Sequence, residues 1–273
     1  MKITCVVDDR GRPDSGLESE HGASFLIEAE SQTVLFDTGQ SGSVLLKNLA
    51  VLGHAPEEID AVVLSHAHYD HTGGLSSLLA HVLGVPLYAH PDLFRERYQK
   101  QDTGPRAVGP AMARADLAGQ AVLMLSAEPA EVCPGVWTSG EILRRSEPEG
   151  RSPYHLVRTD SGWEADPYRD DLSVVLQTEQ GLVLVCGCCH AGLLNTLLHV
   201  RSVFGNDPVA VIGGMHLLHV DAPTMDHVVE ELNGYGPPKL WMGHCTGDRA
   251  FLTLRAAFGD LVSLCPVGTV VDF

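Results

Sequence analysis

Ser65-His66-Ala67-His68-Tyr69-Asp70-His71 places four strong metal-ligand side chains within six residues, directly after the apolar run Ala61-Val62-Val63-Leu64. Side chains alternate along an extended segment, so His66 and His68 can face the same way and grip one ion. Asp70 and His71, in the bend that follows, reach a neighbouring position, and the spacing therefore predicts a two-metal centre. Neutral imidazoles suit zinc, while one hard carboxylate oxygen admits iron or manganese. Gly73 and Gly74 permit a sharp turn before Leu75, Leu78, Leu79 and Val82, whose spacing predicts the apolar face of a helix. The alternative is a solvated loop with incidental histidines. The strand in front, the glycines behind and the complete ligand set argue against it.

Each ion needs at least three protein groups, so further ligands must come from later in the chain. Leu182-Val183-Leu184-Val185 predicts a buried strand, and His190 follows it, ahead of Gly192 and a helical Leu193-Leu194-x-x-Leu197-Leu198 run. His244 stands in the same relation to Lys239-Leu240-Trp241-Met242, with a Cys-Thr-Gly turn before a helix from Asp248. For both, the competing reading is a histidine that caps or packs at a strand end. His216, after Val209-Ala210-Val211-Ile212 and Gly213-Gly214, is placed to point into the pocket as a general acid or substrate contact, or to sit in the core with one nitrogen satisfied. Ligating imidazoles donate their free N–H to a carboxylate or carbonyl, which makes Asp37, at the end of Thr33-Val34-Leu35-Phe36, a candidate orienter. Its alternative is a strand-ending turn, and Glu20 and His21 are read with the same reserve. Asp170 and Asp171 precede the strand Ser173-Val174-Val175-Leu176. Asp171 is expected near the metals, as a replacement ligand or acid/base group, unless the pair is a cap.

At these residues the chain resembles the metallo-β-lactamase-fold hydrolases, whose signature is this His-x-His-x-Asp-His loop. Glu20-His21-Gly22, Leu35-Phe36-Asp37-Thr38-Gly39, Gly140-Glu141-Ile142, Cys188-Cys189-His190-Ala191-Gly192, Gly213-Gly214-Met215-His216-Leu217 and His244-Cys245-Thr246-Gly247 are similar to a narrower subgroup. That subgroup resembles the archaeal synthase joining a dihydropterin precursor to a ribofuranosylaminobenzene phosphate in methanopterin formation. The resemblance implies an α/β fold: a four-layer αβ/βα sandwich, two mixed sheets face to face with helices outside. It also implies two divalent metal ions held by His66, His68, Asp70, His71, His190 and His244. Cys188 sits where related enzymes place a carboxylate that bridges the two ions. A thiolate there would favour softer metals, against the alternative of thiols ending a buried strand. In the synthase reaction diphosphate leaves, and Arg144 or Arg145 is a candidate phosphate clamp unless both are simply solvated. Flavin-linked di-iron relatives carry Glu at the position of His68 and a flavodoxin-like segment, and this chain has neither.

The frame agrees with a single domain over residues 1–273, since 273 residues with 44% apolar content can bury a sizeable core. Charged and Gly/Pro-interrupted stretches near 94–109 and 146–168 read as loop insertions. Trp137, Trp163 and Trp241 are expected in the core. Met1 to Val7 reads as an opening strand, no run is long and apolar enough to span a bilayer, and the odd set of seven cysteines suits a reduced compartment, so a cytoplasmic protein is expected. A formal charge of −17, from 18 basic against 35 acidic residues, disfavours nucleic acid as a partner. A small molecule is expected instead, anionic if the dications govern the field at the site.

Chemistry follows from paired dications, which bring a shared water to a pKa of about 7 and polarise a carbonyl or phosphoryl oxygen. Hydrolysis by the resulting hydroxide is the expected reaction, with Asp70 and His216 as catalytic groups. A dihydropterin transferase and a non-catalytic metal-dependent sensor are the alternatives.

Overall fold

A computed structural model describes residues 1–273. One seven-stranded sheet contains, in spatial order, Val270–Asp272, Lys2–Val7, Ser24–Glu28, Thr33–Phe36, Ala61–Val63, Val85–Ala89 and Ala121–Leu125. A second contains Val262–Leu264, Lys239–Gly243, Pro208–Gly214, Gly181–Cys186, Ser173–Thr178, Val136–Thr138 and Glu131–Cys133.

The period-2 alternation of strand side chains builds the layers. Ile3, Cys5, Phe25, Ile27, Val34 and Phe36 point inward and meet Val174, Leu176, Val183, Val185 and Ile212 of the opposite sheet. Their neighbours Leu26, Leu35 and Val62 point outward onto Leu45, Leu49, Leu75 and Leu78 of helices Gly42–Val51 and Leu75–Leu79. On the far side Val175, Leu184, Val211 and Leu240 pack against helices Leu193–Phe204, Ala222–Tyr235 and Asp248–Phe258. The result is the four-layer αβ/βα sandwich. Each aliphatic side chain so buried stabilises the fold by roughly 1.5–3 kcal/mol.

The two stretches expected as loops carry strands. Arg97–Gln99 and Arg106–Ala107 join His155–Thr159 and Gly162–Ala165 in a third, four-stranded antiparallel sheet. These strands are short and largely polar because much of their surface stays wet, so the alternation that marks a core strand is absent. Trp163 lies here against Tyr98 and is 47% exposed rather than in the core. What fastens this sheet to the sandwich is Arg97, only 2% exposed, which reaches Asp166 at 2.9 Å and Asp170 at 2.6 Å.

In the first sheet Thr33–Phe36, Ala61–Val63, Val85–Ala89 and Ala121–Leu125 run parallel. In the second, Gly181–Cys186, Pro208–Gly214, Lys239–Gly243 and Val262–Leu264 do likewise. The carboxyl ends of parallel strands leave a crevice for ligands, and the metal-ligand loops of both sheets emerge there. Gly187 lets them meet: a Cβ at that position would lie 2.2 Å from Ser65 Oγ and 2.8 Å from Asp37 Oδ2.

Candidate metal centre and active site

Every imidazole expected as a ligand follows a strand of one sheet or the other. His66, His68 and His71 follow Ala61–Val63, His190 follows Gly181–Cys186, and His244 follows Lys239–Gly243. The structure brings all five rings together, with Asp70 among them. Ligating atoms of His66, His68 and His190 lie within 4.8 Å of one another, as do those of His66, His71 and Cys188.

Hydrogen bonds behind the rings fix their tautomers. Asp37 is fully buried and accepts from Ser65 N at 2.7 Å, Ser65 Oγ at 2.7 Å and His71 Nδ1 at 2.6 Å. Ser65 Oγ spends its hydrogen on Asp37, so it must accept from His66 Nδ1 at 2.8 Å. His190 Nδ1 donates to the Gly150 carbonyl at 2.9 Å, and His244 Nδ1 donates to Asp9 at 2.7 Å. In each of these four rings Nδ1 faces outward as a donor and Nε2 faces the centre. His66 Nε2 lies 3.0 Å from His68 Nδ1, so His68 turns Nδ1 to the centre, and His190 Nε2 is buried with no partner at all. Orphaned buried nitrogens are costly, and a cation accepting their lone pairs removes the cost. The donor set therefore fits divalent metal ions.

Electrostatics divide the cluster. Burial pushes His66, His68 and His190 well below the usual histidine range and keeps them neutral. Burial also opposes ionisation of Asp70, yet His71 and His244 overcome it and hold the carboxyl well below its usual range. Asp70 Oδ2 lies 3.5 Å from His71 Nε2 and 3.4 Å from both His244 Nε2 and His21 Nε2. For His244 desolvation is outweighed by Cys245, Asp70 and Asp9, which raise it well above the usual value. A cation would displace the proton this leaves on Nε2. Cys188 Sγ is 3.2 Å from His71 Nε2, inside the cluster. Burial and the neighbouring Cys245 push its thiol up.

The other candidates are distributed around this centre. His216, in a left-handed backbone conformation at φ 46°, stacks obliquely 4.3 Å from His190 and holds a buried Nδ1 with no partner. His21 stands at the mouth, paired to Asp9 at 2.9 Å. Asp171 turns its carboxylate to the backbone N–H of Ala191 at 2.8 Å, and Asp170 holds that of Ala67 at 2.8 Å. The two aspartates thus brace one ligand loop each. Glu20 is directed away from the centre: it accepts from Gln40 N, Ser41 N and Ser41 Oγ at the start of the helix Gly42–Val51. Arg144 is exposed outside the cavity. Its neighbour Arg145 is committed to the carbonyls of Ile142, Pro167 and Tyr168.

A cavity of about 140 Å³ opens onto the centre, lined by His21, His68, Asp70, Cys188, His190, His216, His244 and Cys245, with Gln99 and His155 from the third sheet. It shares Gln99, His155 and His216 with an outer recess of about 620 Å³ walled by residues 148–155, His219, Val220 and Thr224. Asp8, Asp9, His155 and Tyr168 were not among the sequence candidates. Asp8-Asp9 directly after the opening strand was the available signal, whereas His155 and Tyr168 lie in a stretch that reads as loop.

Comparison with known proteins agrees with this geometry. The metallo-beta-lactamase superfamily profile matches residues 19–187. The 7,8-dihydropterin-6-methyl-4-(beta-D-ribofuranosyl)-aminobenzene-5'-phosphate synthase of Methanocaldococcus jannaschii is 31% identical over 100% of this chain and 97% of its own length. The crystal structure of a metal-dependent hydrolase of the beta-lactamase superfamily superposes with a TM-score of 0.86 at 28% identity, covering 100% of this chain and 99% of the other. Zinc-bound PqqB from Methylobacterium extorquens shares the fold at 11% identity and a TM-score of 0.61, with 100% of both chains covered. No helix is long and apolar enough to cross a membrane. The chain belongs to the metallo-beta-lactamase superfamily, and it is an enzyme of that superfamily, hydrolase or transferase.

Proposed function

We propose that this protein is a binuclear metal-dependent hydrolase of a small-molecule ester, phosphoester or related bond, with zinc as its metal. The observation that carries the reading is the inward set of imidazole nitrogens from His66, His68, His71, His190 and His244, closed by the ionised Asp70. When bound, divalent cations supply an acidified water and polarise a substrate oxygen. Asp37, through His71 and through Ser65 to His66, keeps two rings in register for both ions, and Asp9 does so for His244. His216, at the junction of the inner cavity and the outer recess, is positioned to pass a proton to a leaving group through its ring edge. The formal charge of −17 favours a small molecule over nucleic acid, and seven free thiols suit the cytoplasm.

Group transfer is the second reading, favoured by full-length similarity to the synthase. There the aminobenzene ribofuranosyl phosphate would displace diphosphate from a dihydropterin diphosphate in the same cavity, the new bond forming at the pterin-borne carbon and diphosphate leaving free. Elemental analysis of protein made with zinc, iron and manganese available, followed by a phosphodiester, thioester and lactone screen, tests the first reading. Two metal equivalents per chain are expected, with hydrolysis that Asp70→Ala abolishes. Metal-free protein, or full turnover by Asp70→Ala, would overturn it. Diphosphate release dependent on both pterin-pathway substrates, without hydrolysis of the panel, would select transfer.

A further inference from the structure

We propose that His155 contacts the substrate, presenting a fixed Nε2–H donor to a phosphoryl or carbonyl oxygen, and that Tyr168 is the positioning residue that sets this tautomer. The proposal rests on the cavity being the active site, as argued above, and adds a residue from outside the ligand set.

The tautomer follows from counting donors. Tyr168 is 1% exposed, so its hydroxyl hydrogen must find an acceptor inside the protein. Its oxygen accepts the Ser152 backbone N–H at 3.2 Å, and its remaining neighbour is His155 Nδ1 at 2.8 Å. If Nδ1 carried the proton, two N–H groups would converge on one phenol oxygen and the buried phenol hydrogen would be stranded. With the proton on Nε2, every group is satisfied: Ser152 N–H to Tyr168 Oη, and Tyr168 O–H to His155 Nδ1. A protonated ring would carry the Nε2 hydrogen as well, so the donor is present in either charge state.

Position gives this hydrogen its use. His155 lines both the inner cavity and the outer recess, and its ring meets His68 edge-on with centroids 4.8 Å apart. It therefore stands where a substrate must pass between the recess and the centre. Tyr168 is held as an instrument of alignment. Its backbone is left-handed at φ 46°, an unfavourable conformation for an aromatic residue. Its N–H donates to Asp166 at 2.8 Å, and its carbonyl accepts from Arg145 at 2.7 Å. Its ring stacks on His190 at 4.2 Å and 16°. One side chain thus aligns a ring of the metal cluster and a donor aimed at substrate.

Two measurements on the zinc-loaded protein test this. In ¹⁵N-histidine NMR, His155 should appear with Nε2 protonated and Nδ1 accepting, and Tyr168→Phe should abolish that preference. An Nδ1-protonated ring overturns the assignment whatever the enzyme hydrolyses. Inorganic phosphate is the binding probe: His155→Ala should weaken its binding about tenfold at unchanged metal content, and His155→Gln, whose amide N–H takes the place of Nε2–H, should restore most of it. If the alanine variant binds phosphate as the parent does, the substrate contact is refuted. Where hydrolysis is measurable, His155→Ala should lower kcat about 10²-fold. Tyr168→Phe should cost about fivefold to tenfold, the worth of one hydrogen bond. A hydrolysis screen that fails with the parent protein would count against the hydrolase reading alone, since tautomer and phosphate binding are read without turnover.

Discussion

The imidazole cluster of His66, His68 and His190 and the mixed cluster of Asp70, His71 and His244 share one cavity but are built on different supports. The first offers only neutral donors, and its immediate anchors are neutral too: the Ser65 hydroxyl and the Gly150 carbonyl. In the second, Asp37 backs His71, Asp9 backs His244, and an ionised Asp70 completes the set. A carboxylate behind an imidazole raises its basicity and fixes its ring. On the proposed binuclear reading the mixed cluster would draw a cation by charge, whereas the imidazole cluster would draw one by leaving buried lone pairs unsatisfied. The difference shows that first-contact ligands describe only half of each position, and that the groups behind them set how each is filled.

Removing one ligand from the imidazole cluster puts the contrast at greatest risk. His190→Ala should leave the protein with one metal equivalent per chain by elemental analysis, the mixed cluster remaining loaded. Losing several kcal/mol of charge stabilisation corresponds to about three orders of magnitude in kcat. Retention of both equivalents would show that the imidazole cluster is not a separate position.

Next in size is Arg97→Met. Arg97 is buried with Asp166 and Asp170, and Asp170 in turn holds the Ala67 N–H between His66 and His68. Breaking one partner of a buried ion pair strands the others, at a cost of about 3–5 kcal/mol. Denaturant unfolding of metal-free protein should show that loss, and in the loaded protein the imidazole cluster should release its ion first. Equal loosening of both clusters would mean that the Arg97 network supports the whole fold rather than one loop.

These supports mark the boundary of what the sequence discloses. The loop His66 to His71 and the strand-then-histidine units at His190 and His244 are local patterns, and the sandwich follows from alternation within single strands. Arg97 and His155 are invisible to such reading because their roles arise from pairing between strands over 50 residues apart in a polar sheet. Asp170 and Asp171 look like candidate ligands by position, yet their carboxylates are turned toward the N–H groups of Ala67 and Ala191. The direction of a side chain depends on its backbone neighbours in space, and residue spacing along the chain does not carry it. Glu20 likewise adjoins His21 in sequence while holding the residues that lead into a helix in the fold.

Asp9→Asn sharpens the contrast at smaller scale. It weakens the carboxylate behind His244 and leaves the imidazole cluster untouched, so metal affinity of one position should fall 10- to 100-fold, in line with outer partners of ligating histidines generally, roughly. Competition with a zinc-sensitive dye should resolve one weakened and one unchanged equivalent. Parallel weakening of both would erase the distinction between the clusters.

Glu20→Ala provides the smallest effect and the cleanest separation of proximity from participation. Glu20 accepts three hydrogen bonds from Gln40 and Ser41, the residues leading into the helix Gly42–Val51. Losing partly exposed hydrogen bonds of this kind costs about 0.5–1.5 kcal/mol. The variant should unfold at lower denaturant concentration yet keep two metal equivalents and an unchanged KM, since none of those bonds reaches either cluster. A fall in metal content with stability preserved would instead tie Glu20 to the centre through His21, whose Nε2 lies 3.4 Å from Asp70, and would make the mixed cluster larger than the one described.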